Sequence, residues 1–329
     1  MGFTKFLGRI AGNKENQYSQ SNREIENKTE FEQKEFYERK RLSEEIESPL
    51  GIHVSIAGGF DRAVDNAVML GCMAFQIFTR NPRGWTAKKI SDNDVIDFKK
   101  KLALSRIDRF ATFCNMPYLA NLSHPEARPS SISLNSFIDD AKRCSKLGIP
   151  YFVTRLGNHM GMGEEKGIGY LVKAITKAVR ETPSDVTFLL KNNAGTPNSV
   201  GSSFEKIASI FRQLKTFGRI GICLNTCHMF LAGYGLRTET TVTQTLKKFD
   251  ELIGFESLKV IELADSKGDI GSRTDRHEHI GLGKIGEEGL RHVIKFANSK
   301  KIPMILETPI DNRRDSIGNM KKVIELSKT

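Results

Sequence analysis

Short apolar runs alternate with longer amphipathic segments from residue 51 to the C terminus. The runs have the length of buried parallel strands, and the segments between them repeat apolar residues at helical spacing. The predicted strands are 52–54, 73–78, 109–114, 151–154, 186–190, 220–224, 258–263 and 303–306. The predicted helices are 60–70, 91–104, 134–147, 168–179, 204–214, 242–252, 286–296 and 316–327.

Eight strand-helix pairs within about 280 residues match the size and repeat of a TIM barrel, so we predict an α/β fold of the (β/α)8 class. A doubly wound open sheet is the alternative, but the Gly-x-Gly-x-x-Gly turn typical of that fold does not follow the first strand. At the helix ends, we expect Asp92 to cap the N terminus of the second helix and Gly148 to end the third.

Polar side chains follow three of the late strands at the point where each strand ends. Asn225 and His228 follow one apolar run, Glu262 and Asp265 end the next, and Glu307 ends the last. The carboxyl ends of barrel strands surround one face of the fold, where active sites lie. The sequence therefore predicts a site at that face.

Residues 1–48 lack the strand-helix pattern. They hold nine Lys/Arg and ten Asp/Glu with few apolar residues between them. Such a composition is typical of segments that do not build a core. We predict a charged N-terminal extension at 1–48, flexible or helical, that docks an unidentified protein partner, followed by one barrel domain at 49–329.

The charge of the remaining chain indicates the kind of partner. Without residues 1–48 the chain has 41 Lys/Arg against 29 Asp/Glu, a net charge of +12, compared with +11 for the whole protein. This excess favours a polyanion, although a basic enzyme with a small substrate remains an alternative. The five cysteines form no C-x-x-C pair, so we expect buried free thiols.

The sequence also limits the compartment. Its apolar runs are shorter than the ~20 residues that a membrane span needs. The first residues show neither a secretory apolar region nor the hydroxyl residue of a myristoylation site. We therefore expect a cytoplasmic, nuclear or nucleoid protein that is neither secreted nor membrane-spanning.

Several ordered segments are similar to a known family. They are GIHVS at 51–55, FTRNPRGW at 78–85, MPYLANL at 116–122, LNTCH at 224–228, DSK at 265–267, GSRTDRH at 271–277 and ILET at 305–308. Together they resemble endonuclease IV, the zinc-dependent apurinic/apyrimidinic endonucleases of base-excision repair (AP endonuclease 2 family). The resemblance covers residues 51–327 and implies a xylose isomerase-like TIM barrel that binds DNA.

In that family, three zinc ions at the barrel mouth bind a phosphodiester and generate a hydroxide, so the resemblance also implies nine zinc ligands. Four positions retain a ligand residue, namely His228, Asp275, His277 and Glu307. Five are substituted, namely Asn115, Arg155, Lys191, Asn225 and Glu262. The substituted positions include every ligand of one zinc, whereas His228, Asp275 and His277 retain every ligand of another. We therefore expect one zinc at most, with Lys191 or Arg155 paired to Glu262 and Glu307.

The DNA-facing positions of the family are better retained. The resemblance places Arg83 and Tyr118 at positions that enter the duplex at a lesion, with Trp85 close by. Arg273 and Arg276, and also Arg313 and Arg314, are candidate phosphate contacts. The alternative for Trp85 and Tyr118 is structural, since aromatic residues at a barrel rim also cap the core.

Three functions remain open from the sequence. The first is a catalytically impaired or inactive endonuclease IV relative, a pseudoenzyme of DNA repair that binds DNA, including abasic duplex. The second is an active AP endonuclease whose rebuilt metal site uses Glu262 and Glu307. The third is a barrel that binds a small sugar-like ligand.

The remaining histidines have less defined roles. We expect His53 to support the site or to form a structural hydrogen bond, and His159 to lie at its margin or in solvent. His124, His279 and His292 have no recognisable partners in the sequence. For these three we predict surface or capping positions.

Overall fold

Eight parallel strands close into a barrel in the computed structural model, which describes residues 45–329. The first strand pairs with the second and also with the last, and this second pairing closes the sheet. The (β/α)8 prediction is confirmed. The predicted features of the N-terminal extension before residue 45 lie outside the described residues.

Every barrel strand is short and apolar, as the alternation predicted. In chain order they are β1 Leu50–His53, β2 Ala74–Ile77, β3 Thr112–Asn115, β4 Tyr151–Arg155, β5 Thr187–Lys191, β6 Ile220–Asn225, β7 Leu258–Leu263 and, after a small hairpin, β10 Met304–Leu306. The hairpin is formed by β8 Asp265–Ser266 and β9 His277–Glu278. It lies beyond the end of β7, so it adds structure at the mouth of the barrel.

Helices surround the barrel and cover its outer face. They are α1 Phe60–Met69, α2 Asp92–Leu104, α3 Ala127–Leu147, α4 Glu164–Glu181, α5 Phe204–Leu214, α6 Thr226–Leu231, α7 Glu239–Leu252, α8 Gly286–Lys300 and α9 Ser316–Lys328. Within residues 45–329, none of these is both long and apolar enough to cross a membrane. All five cysteines are buried and free, as predicted.

Several boundaries differ from the sequence prediction, and three of these differences have a clear local cause. Ser91, not Asp92, caps α2, because its hydroxyl accepts the backbone N–H of Asp94. Helix α3 begins seven residues before the predicted start at 134, since its first turns are polar and lack the apolar spacing used for the prediction. The predicted strand at 109–114 starts only at Thr112, after a 3-10 turn capped by Asp108. Gly148 ends α3 in the left-handed conformation, as predicted.

Two main apolar regions form the core, in addition to a small cluster of Ala194, Cys227, Leu231 and Ala264. The larger lies between the helices and the outer face of the barrel. The smaller fills the barrel interior, with Ala74, Phe113, Val153, Leu189, Cys223, Val260 and Ile305 as inward residues of seven strands. On β1 the corresponding residue is Gly51, where a Cβ would lie 1.6 Å from the carbonyl oxygen of Ala74. The filled interior forms the floor of the mouth.

Candidate functional site at the barrel mouth

A ring of eight polar or charged residues lies directly above this floor. Because side chains alternate along a strand, the residue two positions after each floor residue also faces inward. These residues, here called the mouth ring, are His53, Gln76, Asn115, Arg155, Lys191, Asn225, Glu262 and Glu307. All five substituted ligand positions therefore belong to one ring, together with the retained Glu307.

Lys191 lies at the centre of the contacts within the mouth ring. It is only 6% exposed, and its Nζ forms ion pairs with Glu262 Oε2 and, at 3.1 Å, with Glu307 Oε2. Burial alone would lower its pKa, but the charges of the two carboxylates outweigh burial and raise the pKa of Lys191 far above its ordinary value. Lys191 is therefore a fixed positive charge with no free lone pair. The predicted pairing of Lys191 with both glutamates is present.

The two carboxylates differ in their surroundings. Glu262 is fully buried, and burial together with the charge of Glu307 raises its pKa. Burial also acts to raise the pKa of Glu307, but Lys191 and the nearby imidazoles outweigh it and lower that pKa below the usual range. Glu307 therefore stays ionised beside Lys191.

Gln76 and His53 complete this side of the ring. Gln76 Nε2 lies 3.3 Å from Glu307 Oε1, 3.4 Å from Glu262 Oε1 and 3.3 Å from His53 Nδ1. Burial lowers the pKa of His53 to about 4, so its imidazole is neutral at pH 7. His53 thus supports the ring through a hydrogen bond, one of its two predicted roles. Gln76 was not among the predicted site residues, although the alternation along β2 places it inward.

Arg155 does not join the ion pairs. Its guanidinium carbon lies 5.3 Å from the centre of the Tyr118 ring, an arrangement suited to a cation-π interaction. On the neighbouring strand, Asn115 is buried, and its Oδ1 is a buried atom without a hydrogen-bond partner among the described residues. These two positions therefore offer a cation and an amide where the resemblance implies imidazoles.

His228, Asp275 and His277 lie close together at one side of the mouth. One potential ligand atom from each of them falls within 4.8 Å of the other two. His228 Nε2 is 3.1 Å from Asp275 Oδ1, and His277 Nδ1 is 3.6 Å from the same oxygen. Two imidazoles and one carboxylate, completed by water, are a common zinc donor set.

The surroundings of these residues suit a metal. His228 Nδ1 lies 3.0 Å from the backbone oxygen of Asn192, so its N–H donates there and leaves Nε2 for the site. Burial and the neighbouring His228 lower the pKa of His277 to about 4, which keeps it neutral. Burial acts to raise the pKa of Asp275, but the two imidazoles and Lys191 hold it below its ordinary value. The donor set therefore fits one zinc. Asn192 was missed from the sequence because it contributes through its backbone.

Three of the six remaining family positions do not fit a metal. Lys191 is protonated, Arg155 is a cation, and Asn225 directs its amide nitrogen toward Glu262 Oε2 at 3.1 Å and His277 Nε2 at 3.1 Å. A cation repels a metal ion, and an amide N–H cannot donate an electron pair to one. The full trinuclear set is therefore not available in this arrangement.

The predicted DNA-facing aromatic residues lie at the rim. Tyr118 is 51% exposed and Trp85 is 43% exposed. The backbone N–H of Tyr118 donates to the carbonyl of Pro82, so the loops after β2 and β3 are joined. Arg83 is exposed on the first of these loops. The structure thus brings Arg83, Trp85 and Tyr118 to the same rim.

A buried arginine supports the loop after β2. Arg80 is buried and donates to Asp140 at 2.7 Å, to Asp139 at 2.5 Å and to the carbonyl of Trp85 at 2.9 Å. Both aspartates belong to α3. The loop that presents Arg83 and Trp85 is therefore fixed to the helix behind it.

The candidate phosphate contacts divide into two groups. Arg273 and Arg276 are exposed between β8 and β9. Arg313 instead donates to Glu278 at 2.8 Å and to Asp311 at 2.7 Å, and Arg314 donates to the carbonyl of Ile280 at 2.5 Å. Protein acceptors would compete with a phosphate for the guanidinium groups of Arg313 and Arg314, and their phosphate contacts stay a prediction.

His279 is the one histidine placed wrongly from the sequence. It is fully buried, with Nε2 2.9 Å from Asp311 Oδ1 and Nδ1 2.9 Å from Asn319 Nδ2. Both partners lie more than 30 residues away in the chain, so no local pattern indicated them. His159 lies at the margin of the mouth, where its Nδ1 accepts the N–H of Gly163.

Comparisons with known proteins agree with this architecture. Residues 64–329 match the family model described as xylose isomerase-like TIM barrel. "Probable endonuclease 4" of Nitrosopumilus maritimus (strain SCM1) is 52% identical over 278 residues, which cover 84% of this chain and 99% of that protein. The protein of the same name from Cenarchaeum symbiosum (strain A) is 49% identical over 272 residues, which cover 83% of this chain and 97% of that protein.

Solved structures show the same relationship. The crystal structure of endonuclease IV from Thermus thermophilus has a TM-score of 0.73 and 32% identity, covering 84% of this chain and 99% of that chain. A D-tagatose 3-epimerase-like protein has a TM-score of 0.62 at 13% identity over 84% of this chain and 96% of that chain, a likeness of fold alone. From the extent of identity to proteins named endonuclease 4, together with the shared barrel, the chain belongs to the endonuclease IV family.

Proposed function

We propose that this protein binds DNA at abasic or similarly damaged sites and lacks the phosphodiester hydrolysis of its family. The observation that supports the proposal most directly is the Lys191 ammonium between Glu262 and Glu307. It supplies positive charge to both carboxylates from within the chain. These carboxylates therefore do not need metal ions to balance their charge.

The loss of hydrolysis follows from what a fixed ammonium lacks. A zinc ion polarises a phosphoryl oxygen and lowers the pKa of its bound water toward 7, so that hydroxide forms at neutral pH. Lys191 attracts an anionic phosphate, but it has no coordination position for water and no free lone pair as a base. Glu307 is ionised but is held by Lys191, so it is a poor general base.

In this proposal one zinc binds to His228, Asp275 and His277. When bound, it would add positive charge at one side of the mouth and attract a phosphate oxygen. Trp85 and Tyr118 would stack on bases or enter the duplex, at a cost in base unstacking that a damaged site reduces. The excess of cations in residues 49–329 would add salt-dependent affinity for the DNA backbone.

A nicking assay tests the catalytic part. The substrate is a short duplex with one abasic site, incubated with zinc or with manganese, and endonuclease IV from Thermus thermophilus is the positive control. We expect cleavage at least about 1,000-fold slower than the control, which corresponds to about 4 kcal/mol of lost transition-state stabilisation. Cleavage within tenfold of the control would contradict the proposal and support a rebuilt metal site with Glu262 and Glu307.

A reversion variant tests whether the ring is the cause. It combines five substitutions to the residues that the family resemblance implies: Asn115→His, Arg155→His, Lys191→Glu, Asn225→Asp and Glu262→His. We expect this variant to bind about three zinc ions and to cleave the abasic duplex. Metal analysis of the unsubstituted protein should give about one zinc per chain, and His228→Ala should abolish it. Three zinc ions in the unsubstituted protein would refute the proposal.

Intrinsic fluorescence measures the DNA-binding part. Trp85 is the only tryptophan in the chain, so its emission reports binding at the rim without a label. Tyr118→Ala should weaken binding to the abasic duplex by about 1–3 kcal/mol, the usual cost of losing one aromatic stacking partner. Tyr170→Ala on the outer helix α4 is the matched control and should leave affinity unchanged. Absence of any complex with duplex DNA, together with binding of a free sugar, would favour a small-ligand barrel.

A further inference from the structure

Arg155 differs from the other cation of the mouth ring. Lys191, its register partner on β5, has two carboxylate partners. Among residues 45–329, the contact of the Arg155 guanidinium is the face of Tyr118, at 5.3 Å. The guanidinium has five N–H donors, and a ring face accepts only through a weak electrostatic attraction. Arg155 is therefore the cation of the ring without an anionic partner among the described residues.

Two other arginines of the barrel illustrate the contrast. Arg80 is fully engaged with two aspartates and a carbonyl, and Arg143 donates to the carbonyls of Thr79 and Lys88. Arg155 is partly buried and inward, and its guanidinium donors have no acceptor in the described part of the chain. A guanidinium at a partly enclosed mouth with its donors unoccupied is suited to an anion, and charge-assisted hydrogen bonds to carboxylate or phosphate are its strong ones.

An orphan acceptor on the neighbouring strand adds an independent indication. Asn115 pairs in register with Val153, two residues before Arg155, and its buried Oδ1 has no hydrogen-bond partner among the described residues. Gln76 Oε1, on the next strand of the ring, is in the same state. This part of the mouth thus presents cationic donors next to acceptors that require an O–H or N–H group. A phosphate next to an abasic deoxyribose, which has a free C1′ hydroxyl, supplies both kinds of partner.

We infer that Arg155 binds a phosphate of the DNA backbone without a metal ion, with Tyr118 stacked on the guanidinium and Asn115 accepting the C1′ hydroxyl of an adjoining abasic deoxyribose or a water bound to it. This inference rests on the proposed DNA-binding function. A guanidinium matches two phosphate oxygens in a planar bidentate arrangement, which a lysine cannot provide. Stacking on Tyr118 fixes the plane of that fork. The two cations of the mouth ring therefore have different roles: Lys191 balances the charge of the carboxylates, and Arg155 binds the phosphate.

The test compares Arg155→Gln, Arg155→Lys and the control Arg212→Gln, which removes an arginine on the outer helix α5. Binding to a short abasic duplex is followed by Trp85 fluorescence over a series of salt concentrations, in the presence of a chelator. We expect Arg155→Gln to weaken binding roughly 10- to 100-fold, the usual range for a lost charge-assisted hydrogen bond. Arg155→Lys should lose less, because the charge remains while the fork is lost. The slope of log affinity against log salt should decrease by about one for Arg155→Gln only.

Two further measurements separate this inference from the proposed function. If Arg155→Gln binds like the unsubstituted protein while Tyr118→Ala binds weakly, the phosphate role of Arg155 is wrong and the DNA-binding function stands. If no variant binds DNA, but ribose 5-phosphate raises the melting temperature of the unsubstituted protein and not of Arg155→Gln, the phosphate role stands and the DNA function is wrong. If neither probe binds, both are refuted. Thermal unfolding of each variant identifies folding defects. If Arg155→Gln does not fold, Arg155→Lys is compared with the unsubstituted protein instead.

Discussion

The two sides of the barrel mouth balance their charge in opposite ways. On the first side, His228, Asp275 and His277 present one carboxylate and two imidazoles that lack a cation of their own. On the second side, Glu262 and Glu307 enclose the ammonium of Lys191. The first side can therefore accept an external cation, whereas the cation of the second side is the side chain of Lys191.

Under the proposed function, this difference would explain how a metal site could be lost without loss of the fold. Buried carboxylates need a counter-charge, because an unpaired ion in a protein interior is costly. Lys191 provides that charge at the same strand end from which the resemblance implies a metal-bridging glutamate. The pairs of Lys191 with Glu262 and Glu307 retain the electrostatic balance. If metal-activated water is absent, as we propose, stability and catalysis are separable on this side.

Removal of the internal cation is the strongest test of the comparison. Lys191→Met leaves Glu262 and Glu307 as neighbouring carboxylates in a buried site. We expect the free energy of unfolding to fall by about 3–5 kcal/mol, the usual cost of removing one partner of a buried ion pair. Urea unfolding at pH 7 in the presence of a chelator measures the change.

The matched control for this variant is Lys248→Met. Lys248 pairs with Glu205 at 2.7 Å, but both side chains are about half exposed. Water screens such a pair, so the loss should be about 1 kcal/mol or less. Equal losses in the two variants would mean that Lys191 does not act as the counter-charge of the mouth, and the contrast between the two sides would disappear.

The free energy of unfolding should depend on pH through His53, which belongs to the second side. Its folded pKa of about 4 lies below the ordinary value of 6.5, so the unfolded chain takes up a proton first as the pH falls. The contribution of neutral His53 to the free energy of unfolding is therefore complete above about pH 6.5 and is lost as the pH falls toward 4. At pH 5 the loss should be about 2 kcal/mol. Denaturant unfolding at pH 7 and pH 5 should show a smaller difference for His53→Gln than for the control His292→Gln, and an unchanged difference would contradict the prediction.

The eight-strand architecture was predictable from sequence because each strand is a short apolar run followed by an amphipathic helix. The alternation along those strands also determines which residues face the mouth, and it would have identified Gln76. What the sequence could not supply were contacts between distant residues. His279 is buried because Asp311 and Asn319 meet it from other elements, and Arg313 is occupied by Glu278 and Asp311.

The different contacts of Lys191 and Arg155 could not be predicted from the sequence either. Both are cations at neighbouring strand ends, and either one could have paired with the glutamates. The structure places Glu262 and Glu307 within reach of Lys191 and sets Arg155 over Tyr118. Only the positions of side chains across the barrel distinguish the two.

Zinc binding at the proposed site on the first side can be weakened without removing a ligand. Asn225 accepts the backbone N–H of His228 through Oδ1 at 3.0 Å, and its Nδ2 lies 3.1 Å from His277 Nε2. Asn225→Leu removes the cap of the turn that carries His228, so the His228 imidazole loses part of its orientation. The Nδ2 contact does not support zinc, because an N–H that donates to His277 Nε2 occupies the lone pair of that nitrogen. Zinc affinity should fall about ten- to hundredfold, as for other losses of hydrogen bonds to metal ligands. Competition with a zinc-binding dye measures it, with His124→Ala as the control, and an unchanged affinity would show that the His228 imidazole is oriented by other contacts.

The smallest expected effect concerns an arginine between two proposed zinc ligands. Arg276 lies between Asp275 and His277 and is exposed. In extended backbone, neighbouring side chains point to opposite sides, so Arg276 faces away from the proposed zinc site and toward solvent. Arg276→Gln should therefore leave the zinc content unchanged and weaken DNA binding only a few-fold, with a decrease of about one in the salt slope if it contacts one phosphate. A loss of zinc in this variant would place Arg276 in the metal site, whereas an unchanged salt slope would exclude a phosphate contact at Arg276.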